Sequence, residues 1–266
     1  MNNQNKIIEV LKKEGVKLLN NKRRDIMFVY NGEDNPDLAF KLNSMYTNLE
    51  KYSFLFVLGC VMDRQIKTSR AWTIPYSVME ELNIKKFKDF LKFDKEAFIK
   101  IFEKKKLHRF NKIMAENFYN AIQLIHKKYN DDAYNIWRDR PKSATLVLRF
   151  LEFSGVGIKI ATMATNILVR GYKIPVRDKI CIDISPDVHV KKIFKRTGLV
   201  GENVSIEEII YKARELNPLY PGIFDFPMFD IGVNYCKINN PLCHKCYLNK
   251  YCPKIKTNKA GKKNEK

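Results

Sequence analysis

The chain has 266 residues, 45% of them hydrophobic, and its 49 Lys and Arg against 29 Asp and Glu give a net charge of +20. That is enough for one large or two ordinary globular domains, while the longest apolar run, Phe54 to Met62, is too short to cross a bilayer. With a polar start from Met1 to Lys6, the expected protein is soluble and intracellular, in cytoplasm or nucleoid, and its charge makes a polyanion, first of all a nucleic acid, the candidate partner.

Taken in chain order, Ile7, Ile8, Leu11, Leu18 and Leu19 repeat at helical spacing, and turn formers from Asn31 to Pro36 then break the pattern. Ile26 to Tyr46 carries no clear periodicity. Ala97, Phe98, Ile101 and Phe102 after Asp94 predict a helix, and Ile113, Met114, Phe118, Ile122 and Ile125 predict another. Arg138 to Pro141 breaks the chain before an apolar helix from Ser143, followed by a glycine turn and a helix reaching Leu168. Pro175 to Pro186 is again non-helical, Asp187 opens a helix through Phe194, and Ser205 with Glu208 three residues on forms a capping box. Asn217 to Gly222 is the last break before a cysteine-rich segment. No run alternates as a strand does, so the expected fold is all-α. After Pro253 the tail holds Lys254, Lys256, Lys259, Lys262, Lys263 and Lys266 against Glu265, a composition expected to stay disordered and to add weak attraction to phosphate.

Three constellations carry chemistry. Cys236, Cys243, Cys246 and Cys252 crowd into 17 residues with the spacing C-x6-C-x2-C-x5-C. Crowding of this kind points to metal ligation, not disulfides. Four thiolates can give one ligand to each iron of a 4Fe-4S cluster, and they can also surround one tetrahedral zinc; residue types alone leave both open. His244 lies inside the loop without being needed as a ligand.

The second constellation is the stretch from Leu151 to Ala161, which reads as helix, hairpin, helix. Gly155, Val156 and Gly157 permit a tight turn and let a phosphate approach the backbone N–H groups that open the second helix. That arrangement grips a nucleic-acid backbone without reading sequence. Lys159 follows in the first helical turn, where a neutral amine can attack a sugar carbon; taken alone, any lysine of this chain reads as a solvated charge. The third is Asp187-Val188-His189-Val190. Asp187 can simply cap its helix, or its carboxylate can stabilise positive charge developing on a sugar, and Asp183 competes for that second role.

Glycine hairpin, lysine, aspartate and terminal cysteine loop, in this order, resemble the helix-hairpin-helix DNA glycosylases, and most closely the iron-sulfur branch typified by endonuclease III. The resemblance runs from about Tyr52 to Cys252. It implies a two-domain fold: a six-helix barrel with the hairpin over residues 51–185, a discontinuous cluster domain over 1–50 and 186–253, and a basic tail over 254–266. It implies a 4Fe-4S cluster on the four cysteines, Lys159 as nucleophile and Asp187 as its assisting carboxylate. Gln65, in Met62-Asp63-Arg64-Gln65, matches the glutamine that enters the space left by an extruded base. Arg64, Gly155, Val156, Gly157 and Lys245 are the accompanying expected DNA contacts, with Lys237 and Lys250 near phosphate. The implied partner is double-stranded DNA with a damaged or mismatched base, bound by a monomer. The implied activity is a base-excision glycosylase with lyase action, most readily on oxidised pyrimidine. Mismatched uracil or thymine, an oxidised purine, or non-catalytic damage sensing are the alternatives. Ser154 stands where the family usually has proline, and the interval from Lys159 to Asp187 is longer than usual.

Overall fold

A computed structural model describes residues 2–21 and 36–255. The break read at Asn31 to Pro36, up to residue 35, the first ten residues of the unassigned stretch and the tail lysines from Lys256 onward lie outside the described residues. Among the described residues the regular structure is entirely helical: α1 (Asn3–Asn20), α2 (Pro36–Thr47), α3 (Leu49–Met62), α4 (Thr68–Glu81), α5 (Lys95–Lys105), α6 (Asn111–Tyr129), α7 (Ser143–Leu151), α8 (Ile158–Asn166), α9 (Val188–Arg196), α10 (Ile206–Leu216) and α11 (Asp225–Asp230). No helix among them is long and apolar enough to cross a membrane.

The contacts separate two compact units, one of residues 21–178 and one joining residues 1–20 to 179–266. The sequence boundaries at 51 and 185 differ from this division. At the first, α2 lays Leu42, Met45 and Tyr46 into the same core as α3, and the Tyr46 hydroxyl donates to the Trp72 carbonyl at 2.6 Å. At the second, Ser143 Oγ bonds the Asp178 carboxylate, and the Arg177 N–H donates to Pro141 O at 3.1 Å. The chain thus stays with the first unit through Asp178 and leaves it before Asp183.

In the larger unit α3 is the central rod. Phe54 to Met62, read as too short to span a membrane, is buried almost throughout, as an all-round apolar helix must be in water. Phe56 meets Trp72, Trp137, Phe150 and Tyr172 with ring centroids 5.4–6.3 Å apart. The Asp94 carboxylate accepts the Ala97 N–H at 2.9 Å and starts α5 where the sequence placed it. On α6, Met114, Phe118, Ile122 and Ile125 are buried, but Ile113 is 55% exposed. One residue before Met114 is about 100° around the helix, outside the arc that those four share.

In the smaller unit α1 packs Ile7 and Leu11 inward and approaches the Pro221–Phe224 turn at Gly15, where a Cβ would lie 2.4 Å from the Ile223 carbonyl oxygen. The Ser205 and Glu208 side chains exchange both capping-box bonds at 2.7 and 3.0 Å to open α10. α11 runs beside α9 and α1 and continues as a wide turn over Ile231–Tyr235 into the cysteine segment.

Candidate functional site

A cleft of about 430 Å³ opens in the larger unit between the end of α3 and the α7–α8 hairpin, lined by Asp63, Arg64, Gln65, Gly155, Val156, Gly157, Lys159 and Ile160. Its first wall exists because α3 stops abruptly. The Asp63 N–H turns back to Cys60 O at 3.1 Å, the Arg64 N–H to Met62 O at 2.8 Å, and Gln65 adopts φ +56°. Buried Met62 anchors this turn, so Arg64 and Gln65 project into solvent at the mouth of the cleft.

The second wall is the hairpin. Phe153 and Val156 are buried and pin it to the core, and the Val156 N–H donates to Phe153 O at 3.0 Å. Its two glycines differ in kind. Gly155 has φ +82°, and a Cβ there would fall 2.4 Å from the Asn117 amide nitrogen, so the fold itself requires glycine. Gly157 has φ −98° and nothing within 4 Å of its absent Cβ; the space beside it is open to the outside. Gly157 caps α8 without a side-chain hydrogen bond, which leaves the N–H groups of the first turn facing outward at the positive end of the helix. Lys159, in that first turn, is exposed.

Thus Arg64, Gln65, Gly155, Val156, Gly157 and Lys159 line one cleft, although more than eighty residues of sequence separate its two walls. Buried Ile160, which the sequence places beside Lys159, also lines the cleft. One further group there was not singled out from the sequence: Asp63, 8% exposed, brings a carboxylate that adds to burial in pushing the Cys60 thiol pKa up. Adjacency to Gln65 was the only sequence signal for Asp63.

The other expected residues belong to the smaller unit. Asp187 caps α9, and its Oδ1 accepts the His189 and Val190 N–H groups at 2.9 and 2.7 Å. Asp183 is buried and holds the Arg214 guanidinium through two bonds of 2.7 Å, which raises the Arg214 pKa. The two aspartates are therefore distinct: Asp183 is committed to an ion pair, whereas Asp187 is half-buried at a helix start. Arg177, in the lengthened interval, lies in the larger unit, its Nε donating to Arg140 O at 3.1 Å.

Cys236, Cys243, Cys246 and Cys252 line a single partly enclosed cavity with Ile193, Arg196 and Leu248. All four thiols are free. Burial raises the pKa of Cys236, opposed by the Arg196 and Lys192 charges, and burial likewise raises Cys246. Four thiols are a donor set for an iron-sulfur cluster or for zinc, and among the described residues no three His, Cys, Asp or Glu side chains converge closely enough to hold a single metal ion. Lys245 stands exposed on the short turn Cys243–Lys245, and Lys237 and Lys250 are exposed on the same loop.

No family model matches the chain, and no curated protein matches it. Solved structures do. A non-covalent endonuclease III–DNA complex superposes with a TM-score of 0.55 at 19% identity, over 82% of this chain and 95% of that one. A trapped endonuclease III–DNA covalent intermediate, an estranged-adenine complex, gives 0.54 at 18% over the same shares. A thermostable thymine-DNA glycosylase gives 0.58 at 16%, over 94% of this chain and 96% of that one. The chain has the helix-hairpin-helix DNA glycosylase fold. Within that glycosylase fold, the hairpin cleft is the concave feature that gathers the chemistry-bearing residues of the larger unit.

Proposed function

We propose that the chain is a base-excision DNA glycosylase with lyase activity. One observation carries the reading: an exposed lysine, Lys159, shares a cleft with a phosphate-approachable helix start and with the Arg64–Gln65 turn. In this mechanism the hairpin N–H groups hold a DNA phosphate, and Gln65 occupies the gap left when a weakened base pair opens. Neutral Lys159 attacks the sugar C1′ through Nζ, and the glycosidic bond breaks with its electron pair leaving on the base, which takes up a proton. Asp187 stabilises the positive charge on the sugar and relays the ammonium proton to O4′ as the C1′–O4′ bond breaks, which opens the sugar ring and leaves a C1′ iminium on Lys159 Nζ. The resulting iminium acidifies the C2′ hydrogen; its removal expels the 3′ phosphate and cuts the strand. Endonuclease III, one of the similar folds, has been trapped as a covalent intermediate with DNA, which supports this order of events.

The four cysteines fit a 4Fe-4S cluster. Bound there, it would supply a rigid cross-link that holds the loop bearing Lys237, Lys245 and Lys250, with no part in bond breaking.

The test is borohydride trapping on duplexes carrying thymine glycol, uracil, mismatched thymine or 8-oxoguanine, with free base measured alongside. A covalent adduct and release of an oxidised pyrimidine are expected. Neither adduct nor base release from any duplex would remove the enzymatic reading and leave DNA binding alone. Preference for mismatched thymine or uracil is the second reading, favoured by the nearly full-length match to the thymine-DNA glycosylase.

A further inference from the structure

Glu152 ends α7 and opens the hairpin turn, so a carboxylate stands three residues before Gly155 in a turn expected to hold phosphate, where a negative charge repels the ligand. Both of its oxygens are engaged. Oε1 accepts from Lys128 Nζ at 2.6 Å and Oε2 accepts from the Tyr129 hydroxyl at 3.2 Å, two residues of the last turn of α6. The two bonds are unequal. Lys128 is half exposed, and its ion pair with Glu152 is weakened by water. Tyr129 is 5% exposed, and burial together with the Glu152 charge pushes its pKa up, so the hydroxyl keeps its proton and stays a donor.

The same tyrosine grips the hairpin a second time. Its ring stacks on Phe153, with centroids 6.5 Å apart and planes 7° from parallel. Tyr129 is itself fixed, because Asn135 Nδ2 donates to its carbonyl at 2.8 Å. About three turns earlier on α6, the Asn117 amide lies against Gly155. One helix thus meets the hairpin at both places, Glu152 and Phe153 at its start and Gly155 at its turn. The bonds inside the hairpin, from the Phe153 N–H to Phe150 O at 3.2 Å and from the Val156 N–H to Phe153 O at 3.0 Å, brace the turn locally but do not set its angle to α6.

We infer that Glu152 is a positioning residue for the phosphate-binding turn: by holding the Tyr129 hydroxyl and the Lys128 ammonium, it locks the hairpin to α6 and sets where the N–H groups of α8 stand. The consequence in DNA rests on the glycosylase reading, whereas the clamp itself stands without DNA. A solvated carboxylate and a positioning one differ in sign. Removing a bare negative charge beside a polyanion strengthens binding, while removing a clamp weakens binding although the charge is gone.

Four variants of the full-length protein separate these cases. E152A removes both bonds, E152Q keeps a side-chain oxygen as acceptor and loses the charge, and Y129F removes the hydroxyl with no change of charge. D139N is the control, since it weakens the Arg149–Asp139 pair, whose bonds of 2.7 and 2.8 Å lie away from the hairpin turn. Amide exchange of Phe153 and Val156 is expected to quicken about five-fold in E152A and about three-fold in Y129F, and to stay within about two-fold of wild type in E152Q and D139N. Affinity for undamaged duplex at fixed salt should fall about five-fold in E152A and about three-fold in Y129F, and should equal or exceed wild type in E152Q. If E152A does not fold, Y129F carries both measurements. Binding that strengthens in E152A as in E152Q, exchange in E152A and Y129F that matches wild type, or equal quickening in D139N overturns the inference. Exchange that separates the variants as expected while the wild-type protein binds no duplex sinks the glycosylase reading and spares the clamp.

Discussion

The hairpin cleft and the cysteine cavity are built in opposite senses. In the cleft, buried residues such as Met62, Phe153 and Val156 hold a backbone whose working groups, Arg64, Gln65, Gly157 and Lys159, face out. In the cavity, Cys236, Cys243, Cys246 and Cys252 turn inward on a shared hollow and the loop's lysines face out. A site that acts on another molecule needs exposed groups on a rigid support, and a site that holds its own chain needs enclosed ones. Substitutions in the first should therefore change reaction without changing the fold, and substitutions in the second should do the reverse.

The largest effect expected is at Lys159. Lys159→Gln should lower borohydride-trapped adduct on abasic DNA by a factor on the order of 10³ or more, with stability changed by under about 0.5 kcal/mol because the side chain is exposed. Trapping at wild-type yield in this variant would remove Lys159 from the nucleophile role. In the cavity, Cys246→Ser should lower iron retained through anaerobic purification by roughly ten-fold or more, since loss of a direct ligand exceeds the 10–100-fold effect of losing a supporting contact. Iron, sulfide and zinc analysis with the visible spectrum checks it. Zinc without iron in the wild-type protein would assign the cavity to the other metal.

The two aspartates sharpen the comparison inside one unit. Asp183→Asn leaves the Arg214 guanidinium without its charge partner and should cost about 2–4 kcal/mol in denaturant unfolding, somewhat below a fully buried pair because Arg214 is partly exposed. Asp187→Asn should leave stability within about 0.5 kcal/mol, because asparagine caps a helix as well as aspartate does. If Asp187 serves the reaction, excision falls in that variant alone. Equal excision in wild type and Asp187→Asn would reduce Asp187 to a cap.

Much of this was legible in the sequence because it is local. Asp94 and the Ser205–Glu208 pair announce helix starts within four residues of themselves, and the glycine hairpin lies within one short stretch. What the sequence hid depends on partners far along the chain. The resemblance preferred Asp187 to Asp183, but the physical difference between them shows only when Arg214, 31 residues beyond Asp183, is seen to hold one of them. Asp63 acquires meaning only where the end of α3 meets the hairpin cleft, and Ile113 misled because an apolar residue one place off the stripe still looks helical when spacing is read loosely. The four cysteines were visible as a cluster of ligands, but the cavity they share with Ile193, Arg196 and Leu248 is a three-dimensional fact.

The smallest predicted effect concerns the two hairpin glycines, which sequence reading treats as equivalent. Gly155→Ala places a side chain at φ +82° and against the Asn117 amide, so it should destabilise by about 1–3 kcal/mol. Gly157→Ala meets no atom of the protein and sits at an ordinary φ, so its stability should be unchanged or raised by about 0.4–1 kcal/mol through a less flexible unfolded chain. If the open side of Gly157 is where a phosphate reaches the N–H groups of α8, the added methyl stands in that path, and affinity for undamaged duplex should fall a few-fold with a shallower salt dependence. A Gly157→Ala protein that binds DNA at every salt concentration as wild type does would move the phosphate contact away from this turn. Loss of binding with no loss of stability is the combination that an internal packing role for Gly157 cannot produce, because inside the protein there is nothing for its methyl to touch.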